Sequence, residues 1–273
     1  DGFYSGTTAR LILKEMKRGN GIITQKDLNE YASVFRDPLS AEYRGCTIIT
    51  APPPSGGGVI ILQILGMLEP YDVTAMGFHS LQSVHIAVEA ARRAYADRAF
   101  FLGDPDYNNI PVNELLNKDY LNKRMSTFDS HAASPSESVF HGAPLSYESE
   151  ETTHYSVVDS KGNAVSATTT LNNTFGSGIV VDSAGFLLNN EMDDFSVKPG
   201  VPNMFGLTGS EANSVSGGKR MLSSMSPVVA VRDGKLFLVA GSPGGATIPT
   251  SVLQVLMNVI DFGMNISQAV DTG

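Results

Sequence analysis

The chain has 273 residues, 42% of them hydrophobic and 17% charged, with a formal net charge of −9. That is enough apolar content for one sizeable core or two small ones, which excludes a disordered tail. An acidic balance without a basic stripe also argues against nucleic acid or an anionic membrane as the main partner.

Residues 7–18 carry apolar side chains at helical spacing, and Thr24 has the position of an N-cap with Asp27 three residues on. Residues 43–50 read as one short strand that contains the single cysteine, Cys46, so no intrachain disulfide can form. The run Ala51-Pro52-Pro53-Pro54-Ser55-Gly56-Gly57-Gly58 is a stiff turn followed by permissive glycines. No Gly-Lys-Ser/Thr follows it, which argues against a phosphate loop. The apolar run 59–68 is about half the length of a bilayer span and predicts a buried helix. Residues 80–101 repeat apolar residues at helical intervals, and 126–151 are polar and rich in Ser and Pro.

From Thr152 the pattern changes. Residues 152–159 alternate, 160–163 have turn composition, and 164–171 return as a Thr-rich strand. Further strands are predicted at 180–188, 227–232 and 235–240, the last two hinged at Asp233-Gly234, with an amphipathic helix at 248–262. Helices, then hairpins, then helices again predict an α+β architecture with an antiparallel sheet between helical layers. The chain begins without Met and ends mid-pattern, so it is expected to be a piece of a longer one, with any signal peptide outside it.

The junction Glu151-Thr152 joins the polar stretch to a strand. Two β-branched residues, Thr152 and Thr153, are by themselves an ordinary way to open an edge strand. A threonine hydroxyl is a poor nucleophile, however, and one way to activate it is to cut the chain before it so that the freed α-amine acts as base. His154, two residues on, falls on the same strand face and could tune such a nucleophile, although packing beside its neighbours is its commoner role. None of the five histidines has a metal-ligand spacing, and no Gly-x-Ser-x-Gly elbow is present. Polar residues gather at strand ends: Asn172-Asn173, Asn189-Asn190-Glu191-Met192-Asp193-Asp194, Ser223-Ser224 and Gly241-Ser242-Pro243-Gly244-Gly245. Asn and Asp in such places commonly satisfy turn backbone. Of a carboxylate pair, one can cap the turn while the other holds a ligand ammonium, and the bare amides of the glycine turn could bind a carboxylate or an oxyanion.

Four of these segments, Thr152-Thr153-His154-Tyr155-Ser156-Val157-Val158-Asp159, Asn189 to Phe195, Lys219-Arg220-Met221-Leu222-Ser223-Ser224-Met225-Ser226-Pro227 and Gly241 to Gly245, closely resemble the γ-glutamyltranspeptidases, also called glutathione hydrolases. Upstream, Asp1-Gly2-Phe3-Tyr4, Tyr43-Arg44-Gly45, the Pro52 to Gly58 run and Tyr95-Ala96-Asp97-Arg98 resemble the end of that family's large subunit, so the likeness covers essentially the whole chain. It implies the N-terminal-nucleophile hydrolase fold, a four-layer αββα sandwich made as a self-cleaving precursor. On that basis 1–151 is the mainly helical C-terminal part of the large subunit, ending in a flexible processing segment. Residues 152–273 are the N-terminal part of the small subunit, and the two subunits form a heterodimer.

The resemblance makes Glu151-Thr152 the processing bond and Thr152 the mature nucleophile. It places Thr170 and Asn172 around the nucleophile and substrate, Glu191 and Asp194 on the substrate α-ammonium, Ser223 and Ser224 on its α-carboxylate, and the Gly244 and Gly245 amides in the oxyanion hole. Where this chain has Glu191, some members carry Gln. The implied reaction passes the γ-glutamyl group of a small molecule such as glutathione to water, an amino acid or a peptide, without cofactor or metal, in the periplasm or outside the cell. The family's arginine anchor for the substrate carboxylate lies upstream of any segment present here, and the chain stops before the last small-subunit strands. Related sandwich enzymes act on poly-γ-glutamate or acylated β-lactam precursors, and a degenerate member would be a binding module. The intact set from Thr152 to Gly245 argues against degeneration.

Overall fold

The computed structural model describes residues 2–139 and 152–272; Glu151 and the end of the expected processing segment lie outside the described residues. The first part contains α1 (Thr7–Gly19), α2 (Gln25–Glu30), β1 (Leu39–Tyr43), β2 (Cys46–Thr50), α3 (Gly57–Leu68), α4 (Val73–Met76), α5 (Leu81–Phe101), α6 (Val112–Leu115) and α7 (Lys118–Met125). The second contains β3 (Thr152–Val158), β4 (Ala164–Thr170), β5 (Val180–Val181), β6 (Phe186–Leu187), β7 (Val228–Arg232), β8 (Lys235–Ala240), α8 (Ile248–Ile260) and α9 (Ile266–Asp271).

The expected elements are present, with two corrections. Residues 43–50 are not one strand but the turn and second arm of a hairpin: Arg44 and Gly45 both take positive φ, 45° and 76°, which suits a two-residue turn matched to strand twist. Residues 180–188 likewise split into β5 and β6 around a turn with Ser183 and Gly185 at positive φ. The Thr24 cap is a full capping box, with Thr24 and Asp27 each bonding the other's backbone amide.

Strands from both parts make one antiparallel sheet in the order β1-β2-β7-β8. Its central pairing joins β2 to β7, with Ile48 opposite Ala230. Tyr43, Cys46, Ile48, Val228, Ala230 and Leu238 share a core with buried side chains of α3, α5 and α8. All but one of the 12 residues of α3 are buried, so its apolar run is a core helix. Among the described residues no helix is long and apolar enough to cross a membrane.

The β3–β4 hairpin lies against β8. Its register pairs Thr152 with Thr170, His154 with Thr168 and Ser156 with Ser166, which puts these six side chains on one face. That face meets the sheet, because Ser156 and Ser166 donate to the carbonyls of Val239 and Ala240, at 3.3 and 3.1 Å. The other face leaves Tyr155, Val157 and Val165 exposed. Helices, sheet and hairpin therefore follow one another in an α+β arrangement.

Candidate active site

Around Thr152, chain segments far apart in sequence close a narrow pocket lined by Thr152, Thr170, Asn172, Asp194, Phe205, Ser223, Ser224, Met225, Gly245 and Ile248. With about 20 Å³ of free volume it has room for about one water. Seven sequence-predicted residues meet here. Glu191 and Gly244 stand outside the lining, and Glu151 is not among the described residues.

The hairpin register sets Thr170 across from Thr152. Beyond Thr170 the chain turns sharply: Asn172 has φ 75°, its amide donates to Thr170 Oγ1 at 2.9 Å, and its side chain donates to the Asn190 carbonyl at 3.2 Å. Asn190 returns a backbone bond to the Leu171 carbonyl at 3.1 Å. This stitching draws the turn of Glu191–Asp194 to the end of β4. Buried Asn213 then ties that turn to the serines, giving its amide to the Asp194 carbonyl at 2.7 Å and accepting the Leu222 amide at 3.0 Å.

The Pro/Gly run holds the serine pair from the other side. The Gly56 amide donates to the Ser223 carbonyl at 2.8 Å, the Ser223 amide donates to the Pro54 carbonyl at 2.9 Å, and the Ser55 hydroxyl donates to the Met225 carbonyl. A β-carbon on Gly57 would run into Ser226 Oγ and lie 2.7 Å from the Ser224 carbonyl oxygen. The glycines thus serve close packing of α3 on the serine segment. Gly244 and Gly245 take φ of 128° and 52°, and the Thr247 amide closes the turn onto the Gly244 carbonyl at 2.9 Å before α8 begins. Tyr95 of α5 supports this turn by donating to the Ala246 carbonyl at 2.6 Å.

The electrostatics divide the pocket. Burial pushes Asp194 up to about 7; the Arg98 guanidinium works against this and Asp193 adds to it. Glu191 is also raised to about 7, by burial and then by the Asp194 charge. Two carboxyls poised to ionise near neutrality suit a cationic group that would share their charge. His154 is held by Thr168 Oγ1 at 2.8 Å and Ser156 Oγ at 3.1 Å, and burial lowers its pKa, which favours a neutral ring packed among its neighbours. Gly241 leaves room for that ring, since a β-carbon there would collide with it.

Sequence reasoning assigned no role to Tyr95 or Arg98. The signal was present: Ser83, Ile86, Ala90 and Ala94 trace the inward stripe of α5, and Arg98 continues it at the next turn. A charged residue on an apolar stripe marks something it must reach.

The family model described as gamma-glutamyltranspeptidase matches residues 1–273. The glutathione hydrolase proenzyme of Escherichia coli (strain K12) is 51% identical over 269 residues, covering 98% of this chain and 46% of that protein. The Acylase ACY 1 proenzyme of Pseudomonas sp. (strain SE83) is 37% identical over 271 residues, covering 99% of this chain and 46% of that protein. Among solved structures, cephalosporin acylase from Bacillus halodurans superposes with a TM-score of 0.81 at 25% identity, over 99% of this chain and 46% of that one. The chain spans about half the length of the curated relatives it matches.

Proposed function

The chain belongs to the gamma-glutamyltranspeptidase family, and we propose that it carries the catalytic core of a γ-glutamyltransferase and glutathione hydrolase that matures by cutting itself. The observation that carries this reading is the pocket that gathers Thr152, Thr170, Asn172, Asp194, Ser223, Ser224 and Gly245 from five separate segments. A nucleophile, a carboxylate for an ammonium, hydroxyls for a carboxylate and a glycine amide are what a γ-glutamyl group needs for recognition and attack.

In maturation, Thr152 Oγ1 attacks the Glu151 carbonyl carbon; the C–O bond forms as the C–N bond breaks, leaving an ester and the Thr152 amine. Water hydrolyses the ester, which frees the Glu151 carboxylate and returns the hydroxyl. In turnover the α-amine takes the hydroxyl proton as Oγ1 attacks the γ-carbonyl of the donor. The Gly244 and Gly245 amides stabilise the oxyanion, and Asp194, with Glu191 behind it, holds the donor ammonium. The leaving amine departs with a proton, and water or an amino acid or peptide amine then takes the γ-glutamyl group from Thr152. Residues 1–151 and 152–273 become the partner segments of a two-subunit enzyme.

The test is the full-length protein on a denaturing gel, where two bands are expected, together with hydrolysis of γ-glutamyl-p-nitroanilide. Similarity to two acylases keeps a second reading in view, with poly-γ-glutamate or an acylated β-lactam precursor as substrate. Preferred turnover of either would replace the first reading, and turnover of none of the three would leave a binding module.

A further inference from the structure

Two arginines of α5 are buried almost completely, Arg93 at 2% and Arg98 at 4% exposure, and they are treated very differently. Arg93 pairs with Glu89 at 2.6 Å and also donates to the Arg124 carbonyl, Thr127 and Ser134. Arg98 has no salt bridge among the described residues, and its Nε is buried with no acceptor there. Its hydrogen bond to the Ser224 hydroxyl, from Nη2, is long at 3.4 Å. Burying a guanidinium without a pairing carboxylate costs several kcal/mol, so a purely structural role would favour an apolar side chain. Arg98 stands behind the pocket and outside its lining, with Ser224 and Asp194 as its neighbours in hydrogen bonding and charge.

We propose that Arg98 is a positioning residue for the donor pocket, orienting the Ser224 hydroxyl and balancing the charge at Asp194; this rests on the γ-glutamyl reading above. The charged groups facing Asp194 are Arg98 from α5, Asp193 and Glu191 from its own turn and, after maturation, the Thr152 amine. Segments 222–226 and 245–248 bring only hydroxyls, amides and apolar side chains. Arg98 is thus the cation that the fold itself sets against Asp194 before any substrate arrives. It lies on the N-terminal side of the processing bond while the groups it steadies lie on the other.

The experiment compares the full-length wild type with Arg98→Gln, which keeps a donor without charge, and Arg98→Lys, which keeps charge without the planar fork. With γ-glutamyl-p-nitroanilide, Arg98→Gln is expected to raise KM roughly tenfold with a smaller change in kcat, and to move the acid limb of kcat/KM up by about one pH unit. Arg98→Lys is expected to raise KM while leaving the limb in place. A lower melting temperature with KM and limb both unchanged would make Arg98 structural and overturn the proposal. If Arg98→Gln does not fold, Arg98→Lys decides: an unchanged KM overturns it. Carbon-13 carboxyl titration of Asp194, assigned with Asp194→Asn, needs no substrate. A wild type inactive on γ-glutamyl donors therefore refutes the functional reading, whereas an Asp194 titration unmoved by Arg98→Gln refutes this one.

Discussion

Asp194→Asn removes one charge from the pocket and little else. The backbone carbonyl of residue 194 stays anchored by Asn213 at 2.7 Å, and the amide has the shape of the carboxylate. If Asp194 holds the donor ammonium, leaving that cation unpaired costs about 2–5 kcal/mol, which is a loss of roughly 30- to 5,000-fold in kcat/KM. The pH dependence gives a second, independent handle. Asp194 and Glu191 both ionise near 7 in the free protein, so wild-type kcat/KM rises with pH through that value as the ammonium site switches on. The limb belongs to the interacting pair and not to either residue alone. A bound ammonium favours the ionised carboxylate, so the limb of kcat lies lower. The variant loses the Asp194 part of the limb. Stability moves the opposite way. A carboxyl raised from 3.8 to about 7 keeps a proton in the folded state that the unfolded chain has lost, so folding weakens as pH rises through that window. Asp194→Asn escapes this and is expected to melt higher than wild type above pH 7. Steady-state kinetics from pH 5 to about 9 with thermal melts at the same points make the assay. Unchanged donor KM and kcat/KM in Asp194→Asn would refute the assignment.

Thr152→Ala is expected to leave one uncut chain without hydrolase activity, Thr153→Ala on the outward face to cleave, and Thr152→Ser to cleave slowly and keep partial activity; mass spectrometry after long incubation reads all three, and a fragment beginning at residue 152 from Thr152→Ala would rule out self-cleavage by this side chain. Gly57→Ala forces Ser226 and the Ser224 carbonyl to move, so about 1–3 kcal/mol of stability is lost and donor KM rises, whereas Gly19→Ala, with nothing within 4 Å, is close to neutral in both. Glu89 is raised by burial, but hydrogen bonds from Arg93, Ser134 and Arg92 outweigh this and hold it at about 2; Glu89→Gln leaves Arg93 buried without a countercharge and costs about 3–5 kcal/mol. Because a depressed carboxyl stabilises only where it is ionised, that deficit is full above the usual carboxylate range and shrinks as pH falls toward 2, which denaturant melts at several pH values can follow.

Long patterned segments were legible in the sequence: the helix over 80–101 and the hairpin after Thr152 because one face of each had to meet the core, and the helix after the glycines because its continuous apolar run had to be buried on all sides. Turns inside short apolar runs were less so. Residues 43–50 contain Arg44 at positive φ, and no pattern distinguishes an arginine in a left-handed turn from one inside a strand. Polar groups at strand ends are conspicuous in the sequence, and it was the resemblance to the family that singled out the motif residues among them and added Thr170. Arg98 carries no such mark, and its neighbours Ser224 and Asp194 come from segments more than ninety residues away. The Pro/Gly run was read as a turn, whereas its bonds to Ser223 and Met225 make it the clamp on the serine pair.

The proposed processing bond divides the sequence but not the core. β2 and β7 come from opposite sides of it and form the central ladder of the sheet, and the largest apolar cluster mixes α3 and α5 with α8. Breaking one peptide bond upstream of Thr152 removes none of these pairings, so the two products keep the burial that held the single chain together. The same arrangement would let a new terminus be tolerated at the proposed site. The groups proposed to receive substrate sit after the bond, while Gly56, Gly57, Tyr95 and Arg98 hold that segment from before it. Those contacts from the first part do not run through the strand end that would be freed. On the proposed reading, a cut there releases an amine beside the nucleophile while these contacts keep the walls around it in place.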